Sequence, residues 1–384
     1  MKGKRLEFVE KTILNQKTMK SCYLLFLLVI ISSAAKSQSS DIRLEVISLH
    51  PTPVIGKATK GAEDNKFGFE GGTVQKIKDR YYLFSTEIFD NPKTAKVRLA
   101  LWMSKDGLTF LKQQVLISTN NNWNDKTYNM SPWSPMSVFD EDTQRWNIFY
   151  VGYRRKPNSA DVFNMSGKIR RLEASKKGRD GINSTYINKG LIRMTSQPDP
   201  WEGPAELVSF YPYKAAGQWY AFYGSNTVPP EQTGSMSEPK KGNTPKSLFW
   251  VGLATPIDNK LSGSWKRLSA MNPVLMDSTF MENPVVTKVS DSLYVNLYDG
   301  ANKHEFSYSL SKDGIHWDKE KLIRLSNAPE WIYMTRTPLC LIPEGDNVFT
   351  IYFTAFDGDN SKQILPIWHN GYGNIGMMKV KLIL

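Results

Sequence analysis

Apolar and polar residues alternate with a period of two along most of the chain, as in YYLFST at 81–86 and VFTIYFTA at 348–355, and no long stretch shows a 3.6-residue period. Such segments, rich in β-branched and aromatic residues, predict strands. Five segments share one plan: a turn with a small residue or proline, a short apolar strand, a polar hairpin and an aromatic-rich strand. They read EGGTVQKIKDRYYLFSTE from Glu70, WSPMSVFDEDTQRWNIFYVG from Trp133, EGPAELVSFYPYKAAGQWYAFYGS from Glu202, ENPVVTKVSDSLYVNLYDG from Glu282 and RTPLCLIPEGDNVFTIYFTAFDG from Arg336. Anchored on Gly72, Pro135, Pro204, Pro284 and Pro338, they recur at intervals of 54 to 80 residues. After the first comes VRLALWMSKDGLTF and after the fourth HEFSYSLSKDGIHW, the same strand ending in Ser-Lys-Asp-Gly. Asp-Gly suits a tight turn because both residues tolerate positive φ. Each module therefore holds about four antiparallel strands, and five modules predict an all-β, five-bladed β-propeller. DIRLEVISLHPTP, from Asp41, is expected to close the ring against the final GMMKVKLIL.

The first 37 residues are a different text. Lys17 and Lys20 precede the apolar run CYLLFLLVII, and SSAAKSQ follows, with Ala35-Lys36-Ser37 as a cleavage site before Gln38. This is the pattern of a secretory signal peptide, with Met19 as an alternative start. Residues 38–384 are then one exported domain, secreted or periplasmic, and no later run reaches the roughly 20 apolar residues of a membrane span. The leader removes five of the +12 net charges and leaves +7. The remaining basic residues are scattered, with YRRKPN and KIRRLEASKKGR the only clusters, so a solvated surface is expected and no nucleic-acid partner. Cys22 leaves with the leader, and Cys340, in the apolar PLCLI, reads as a buried small hydrophobe. The four histidines are far apart and support no metal site; His369 reads as structural. No cofactor is expected, and nothing in the sequence supports a structural calcium in the channel.

In a propeller the start of each first strand and the end of each second strand share one face. Two positions before the anchors stand Glu70, Trp133, Glu202, Glu282 and Arg336, and the second strands end with Glu87, Asp299 and Asp357. Crowding raises a carboxyl pKa while a nearby cation lowers one, so a single site can hold both a protonated acid and an ionised base. Glycosidic bond hydrolysis uses that division. Trp133, Trp201 and Trp331 lie where an indole could stack on a sugar or fill the core. Glu206 is a rival acid, and Arg336 either binds an anionic substituent or neutralises the glutamates.

The module pattern, the leader, Glu202-Gly203-Pro204 and NPVLM from Asn272 together resemble the five-bladed propeller glycoside hydrolases, family 43 and its relatives. The resemblance implies a carbohydrate substrate and Glu202 as general acid. That family also places aspartates directly before the first two anchors, where this chain has Gly71 and Ser134. Glu70, one residue earlier, then stands for the base, and Glu282 or Asp299 takes the tuning part. Trp133, Arg336, Trp201 and Asp299 complete the expected sugar site. A carbohydrate-binding propeller without hydrolysis is the alternative, motivated by the two missing aspartates.

Overall fold

The computed structural model describes residues 42–89, 96–120, 131–154, 164–203, 207–226, 249–274, 281–359 and 371–384. The leader, Glu206 and His369 lie outside them. Among the described residues the alternating segments are strands and there is no α-helix; one 3₁₀ turn spans Arg179–Asn183.

β1 (Arg43–Leu49) is followed by the first repeat, which forms β2 (Asn65–Ile77), β3 (Arg80–Phe89), β4 (Lys96–Ser104) and β5 (Phe110–Ser118), paired in that order. The second repeat forms a separate four-stranded sheet of β6 (Ser131–Asp140), β7 (Arg145–Arg154), β8 (Asn164–Ala174) and β9 (Tyr186–Leu191). The third forms β10 (Ser209–Ala215), β11 (Gln218–Asn226), β12 (Phe249–Pro256) and β13 (Trp265–Arg267). The fourth forms β14 (Val285–Ser290), β15 (Leu293–Asp299), β16 (Glu305–Ser311) and β17 (Lys321–Arg324). In the fifth, β18 (Met334–Pro338) and β19 (Ile342–Gly345) pair with β20 (Val348–Phe356), which pairs with β21 (Gly373–Ile383). β1 pairs with β21, as expected of the segment before the first repeat.

The fifth and first sheets are joined by a single parallel bridge, Gly68 to Gly373. A Cβ on Gly68 would lie 2.0 Å from the carbonyl oxygen of Gly373, and one on Gly373 would lie 2.1 Å from that of Phe69. Only two glycines allow this approach.

Both Ser-Lys-Asp-Gly tetrapeptides are tight turns closed by their own side chains. Ser104 Oγ accepts from Gly107 N at 2.9 Å and Asp106 Oδ1 accepts from Leu108 N and Thr109 N. Ser311 and Asp313 repeat the pattern with Gly314, Ile315 and His316. These backbone donors hold the Asp106 carboxyl far below its ordinary range.

The aromatic faces pack sheet against sheet. Trp102, Trp146 and Trp265 are fully buried, as are Phe84 and Phe149, and each buried Phe contributes roughly 1.5–3 kcal/mol. Cys340 is buried, and burial pushes its thiol up to about 12, which fits a space-filling role. A cavity of about 600 Å³ is lined by residues from β2, β6, β10 and β14 and by residues 339–343, at the hairpin ends of these strands.

The opposite ends of the first strands are irregular at matching places. Register shifts fall between Glu70 and Gly72, between Trp133 and Met136, and between Thr335 and Pro338. Gly71 (φ 65°), Ser134 (φ 48°) and Asn283 (φ 53°), each directly before its anchor, take left-handed backbone. A β-bulge inserts an unpaired residue and re-aims the chain around it. At Gly71 a Cβ would also stand 2.6 Å from Ser134 Oγ on left-handed backbone, so the aspartate of the family pattern would be strained there and would need Ser134 to shift.

Candidate active site

Strand pairing shows which residues occupy the shared column. Glu70 pairs with Thr86 and Trp133 with Val151, while Asp299 N donates to Glu282 O at 3.1 Å. In the third repeat Gly224 pairs with Ser209, and Gly224 O also accepts from Val208 N at 3.0 Å. Thr86, Val151, Gly224 and Asp299 all lie six residues beyond the starts of their strands at Arg80, Arg145, Gln218 and Leu293. The third member of the column is therefore Ser209, and the expected alignment of Glu202 is corrected. Glu202 and Gly203 precede β10, which begins only at Ser209.

Glu70, Glu282 and Asp299 meet at one cation. Arg336 Nε donates to Glu70 Oε1 at 3.2 Å, Nη2 donates to Glu282 Oε2 at 2.6 Å, and Nη1 is bonded to Asp299 Oδ2. The four side chains come from β2, the approach to β14, the end of β15 and β18. All are nearly out of water: the carboxylates are 7%, 9% and 3% exposed and the guanidinium 11%. Of the two open roles for Arg336, neutralising the carboxylates is the one seen.

One guanidinium offsets one carboxylate, so three ionised acids here would leave uncompensated buried charge, at a cost of several kcal/mol. Burial accordingly favours the neutral forms of Glu70 and Asp299. Asp299 is pushed up to about 8, chiefly by burial and against the pull of Arg336, with Glu282 adding to the rise. Burial also raises Glu70, again opposed by Arg336. The same burial, with Glu282 and Glu70 nearby, keeps the Tyr153 phenol protonated far beyond its usual range.

The surrounding shell was not foreseen. Asn283 Nδ2 donates to Asp299 Oδ2 at 3.0 Å and to Thr337 Oγ1 at 3.1 Å, and Asn283 Oδ1 accepts from Tyr211 OH at 2.6 Å. Tyr153 OH donates to Val208 O at 3.1 Å, and Ser134 N donates to Thr86 Oγ1 at 2.9 Å. The signal that could have found Asn283 is its place directly before an anchor proline, where asparagine tolerates φ > 0.

The remaining expected residues stand elsewhere. Glu202 takes a bidentate grip from Arg267 on β13, Nε to Oε1 at 2.5 Å and Nη2 to Oε2 at 2.7 Å. Asp199 N and Tyr223 OH also donate to its Oε1, both at 3.0 Å. None of these partners bonds to the Arg336 group in any contact described above. Trp201 stacks on Tyr223, with centroids 5.6 Å apart, beside this second network. Trp133 is 6% exposed within the main apolar core, and Trp331 stacks on Phe353. Of the expected rim acids, Glu87 is bonded by Arg98, Lys112 and Trp102, and Asp357 by Lys57. Among the described residues no group of three or more His, Cys, Asp or Glu could hold a metal ion, and no helix is long and apolar enough to cross a membrane.

The structure is similar to solved glycoside hydrolases. One described as a glycoside hydrolase gives a TM-score of 0.61 at 14% identity, covering 88% of this chain and 92% of that one. Zg3597, a family 117 glycoside hydrolase produced by the marine bacterium Zobellia galactanivorans, gives 0.57 at 12% identity, covering 88% and 90%. The GH43_1 enzyme from Xanthomonas citri, complexed with xylotriose, gives 0.50 at 11% identity, covering 87% and 90%. No protein-family model matches the sequence, and no curated protein matches it. At these identities the likeness is one of fold, and it includes the family to which the repeat pattern points.

Proposed function

We propose that the chain is an exported glycoside hydrolase built as a closed five-bladed propeller, with its acid–base chemistry at the Arg336 group. Five-fold closure is supported by the five repeats, by the Gly68–Gly373 bridge between the last and first sheets, and by the cavity that first strands of every repeat line. The observation that carries the function is the convergence of Glu70, Glu282 and Asp299 on one buried guanidinium.

Charge balance assigns the parts. Glu282 is the carboxylate that offsets Arg336, and it activates water or attacks the anomeric carbon. Glu70, whose neutral form burial favours, donates its proton to the departing glycosidic oxygen. This reverses the base role expected for Glu70. Asp299, the most buried of the three, holds a further proton and tunes the pair through Arg336. Oε2 of Glu70 and Oε1 of Glu282 are left outside the arginine bonds and are the atoms available to a sugar. The substrate is a carbohydrate, and the leader directs the protein out of the cytoplasm.

Glu202, the acid implied by the family resemblance, is the competing assignment. A panel of oligosaccharides assayed with the wild type, Glu70→Gln, Glu282→Gln and Glu202→Gln separates the two. Loss of turnover in the first two variants, with retention in Glu202→Gln, is expected. Full turnover by Glu70→Gln or Glu282→Gln refutes the reading, and calorimetric binding of a glycan that no variant or wild type cleaves assigns the non-catalytic alternative.

A further inference from the structure

Asn283 is 5% exposed, stands at φ 53° and uses both ends of its amide. Tyr211 OH donates to Oδ1, while Nδ2 faces the Asp299 carboxylate and Thr337 Oγ1. Flipping the amide would set its oxygen against a carboxylate oxygen, so this orientation is fixed by its neighbours. Asp299 Oδ2 thus receives two donors, the amide and Arg336 Nη1. Oδ1 is buried and has no partner among the described residues. Such an atom calls for a physical reason. A proton carried by Asp299 can sit only there, because both approaches to Oδ2 are taken by N–H groups.

We propose that Asn283 is a positioning residue of the Arg336 site: its amide pins Oδ2 of Asp299 toward the cation and leaves Oδ1 as the place where the site's resident proton is held and exchanged. The catalytic consequence rests on the acid–base reading above; the placement of the proton does not. The charged and titratable groups facing Asp299 are Arg336 from β18, Glu282 from the approach to β14, Glu70 from β2 and Tyr211 from β10. Among them Arg336 favours the ionised carboxylate and the two glutamates oppose it, and the Asn283 amide works in the same direction as Arg336. Losing the amide therefore makes Asp299 hold its proton to higher pH.

The test is urea unfolding from pH 5 to 10 for the wild type, Asn283→Gly and Tyr211→Phe. Glycine accepts the left-handed backbone, so the substitution removes the amide without straining the chain. The folded state holds the Asp299 proton to higher pH than the unfolded state. Stability therefore falls as pH rises and levels off once the folded value, about 8, is passed. In Asn283→Gly the levelling point is expected to move up by on the order of one pH unit, the scale of one lost hydrogen bond to a carboxylate. In Tyr211→Phe, which loosens the same network but keeps the bond to Asp299, the point is expected to stay. An unmoved point in Asn283→Gly overturns the proposal, whatever the overall loss of stability, and so does an equal movement in both variants. The unfolding series needs no substrate, so it stands apart from any failure of the hydrolase reading. Where a cleaved glycan is in hand, the alkaline limb of kcat/KM is expected to shift by the same amount.

Discussion

Replacing Arg336 with methionine is the most direct test of the electrostatics of the site. The variant keeps the apolar stem and removes a guanidinium that bonds Glu70, Glu282 and Asp299. All four groups are nearly buried, so solvent screens little of the loss. Breaking a buried ion pair by deleting one partner costs about 3–5 kcal/mol. With a denaturant slope of about 3 kcal/mol/M, the urea midpoint at pH 7 is expected to fall by about 1–1.7 M. The pH dependence is the sharper readout. Arg336 opposes the rise of both Glu70 and Asp299, so its removal lets their folded values climb further. A carboxyl with a raised folded pKa lends stability below its unfolded value, near 4, and loses it as pH rises toward the folded value. Each extra proton retained by the folded variant steepens the fall by about 1.4 kcal/mol per pH unit. The gap between variant and wild type is therefore expected to widen above about pH 8, where the wild-type Asp299 gives up its proton and the variant's does not. A gap that stays constant from about pH 7 to 10, or a variant as stable as the wild type, refutes the account of three carboxylates held by one cation.

Two further outcomes follow from the packing. Glu202→Gln leaves Arg267, 5% exposed, without its bidentate anion, and is expected to lower stability by about 2–4 kcal/mol in thermal or urea unfolding, whereas Glu70→Gln, whose neutral form burial already favours, stays within about 1 kcal/mol of the wild type. Equal stability of Glu202→Gln and wild type, together with lost turnover, would return the acid role to Glu202. Gly68→Ala drives a Cβ to 2.0 Å from the Gly373 carbonyl oxygen and is expected to cost about 2 kcal/mol or more, read as a lower melting temperature. An unchanged melting temperature would mean that the first and fifth sheets do not need that bridge.

The repeats made the sheets legible. Each hairpin is short, and its turn residues sit between alternating runs, so strand existence follows from local chemistry, as the two Ser-Lys-Asp-Gly turns illustrate. Four of the five residues in the shared column were also readable, because Glu70, Trp133, Glu282 and Arg336 each stand two positions before an anchor residue. The third repeat differs because Glu202-Gly203-Pro204 imitates an anchor while Ser209, a small residue, occupies the place. Counting back from the Ala215–Gln218 hairpin, rather than forward from the proline, would have found it. Glu87 ends its strand as Asp299 does, yet it pairs directly across to Arg98, a partner readable from strand register alone. The bond between Asn283 and Tyr211 left no such trace, since it joins two different repeats and depends on how the sheets pack.

The bond from Arg336 to Glu70 joins positions 266 residues apart in the chain. Local hairpins can form early and independently, but this contact is made only when the opening and closing segments of the polypeptide find each other, the slowest kind of encounter in folding. Any chemistry at the site is thus withheld from nascent or partly folded chains. Recovery of turnover after dilution from denaturant should lag behind recovery of sheet content, so that catalytic competence reports the last step of assembly rather than the first.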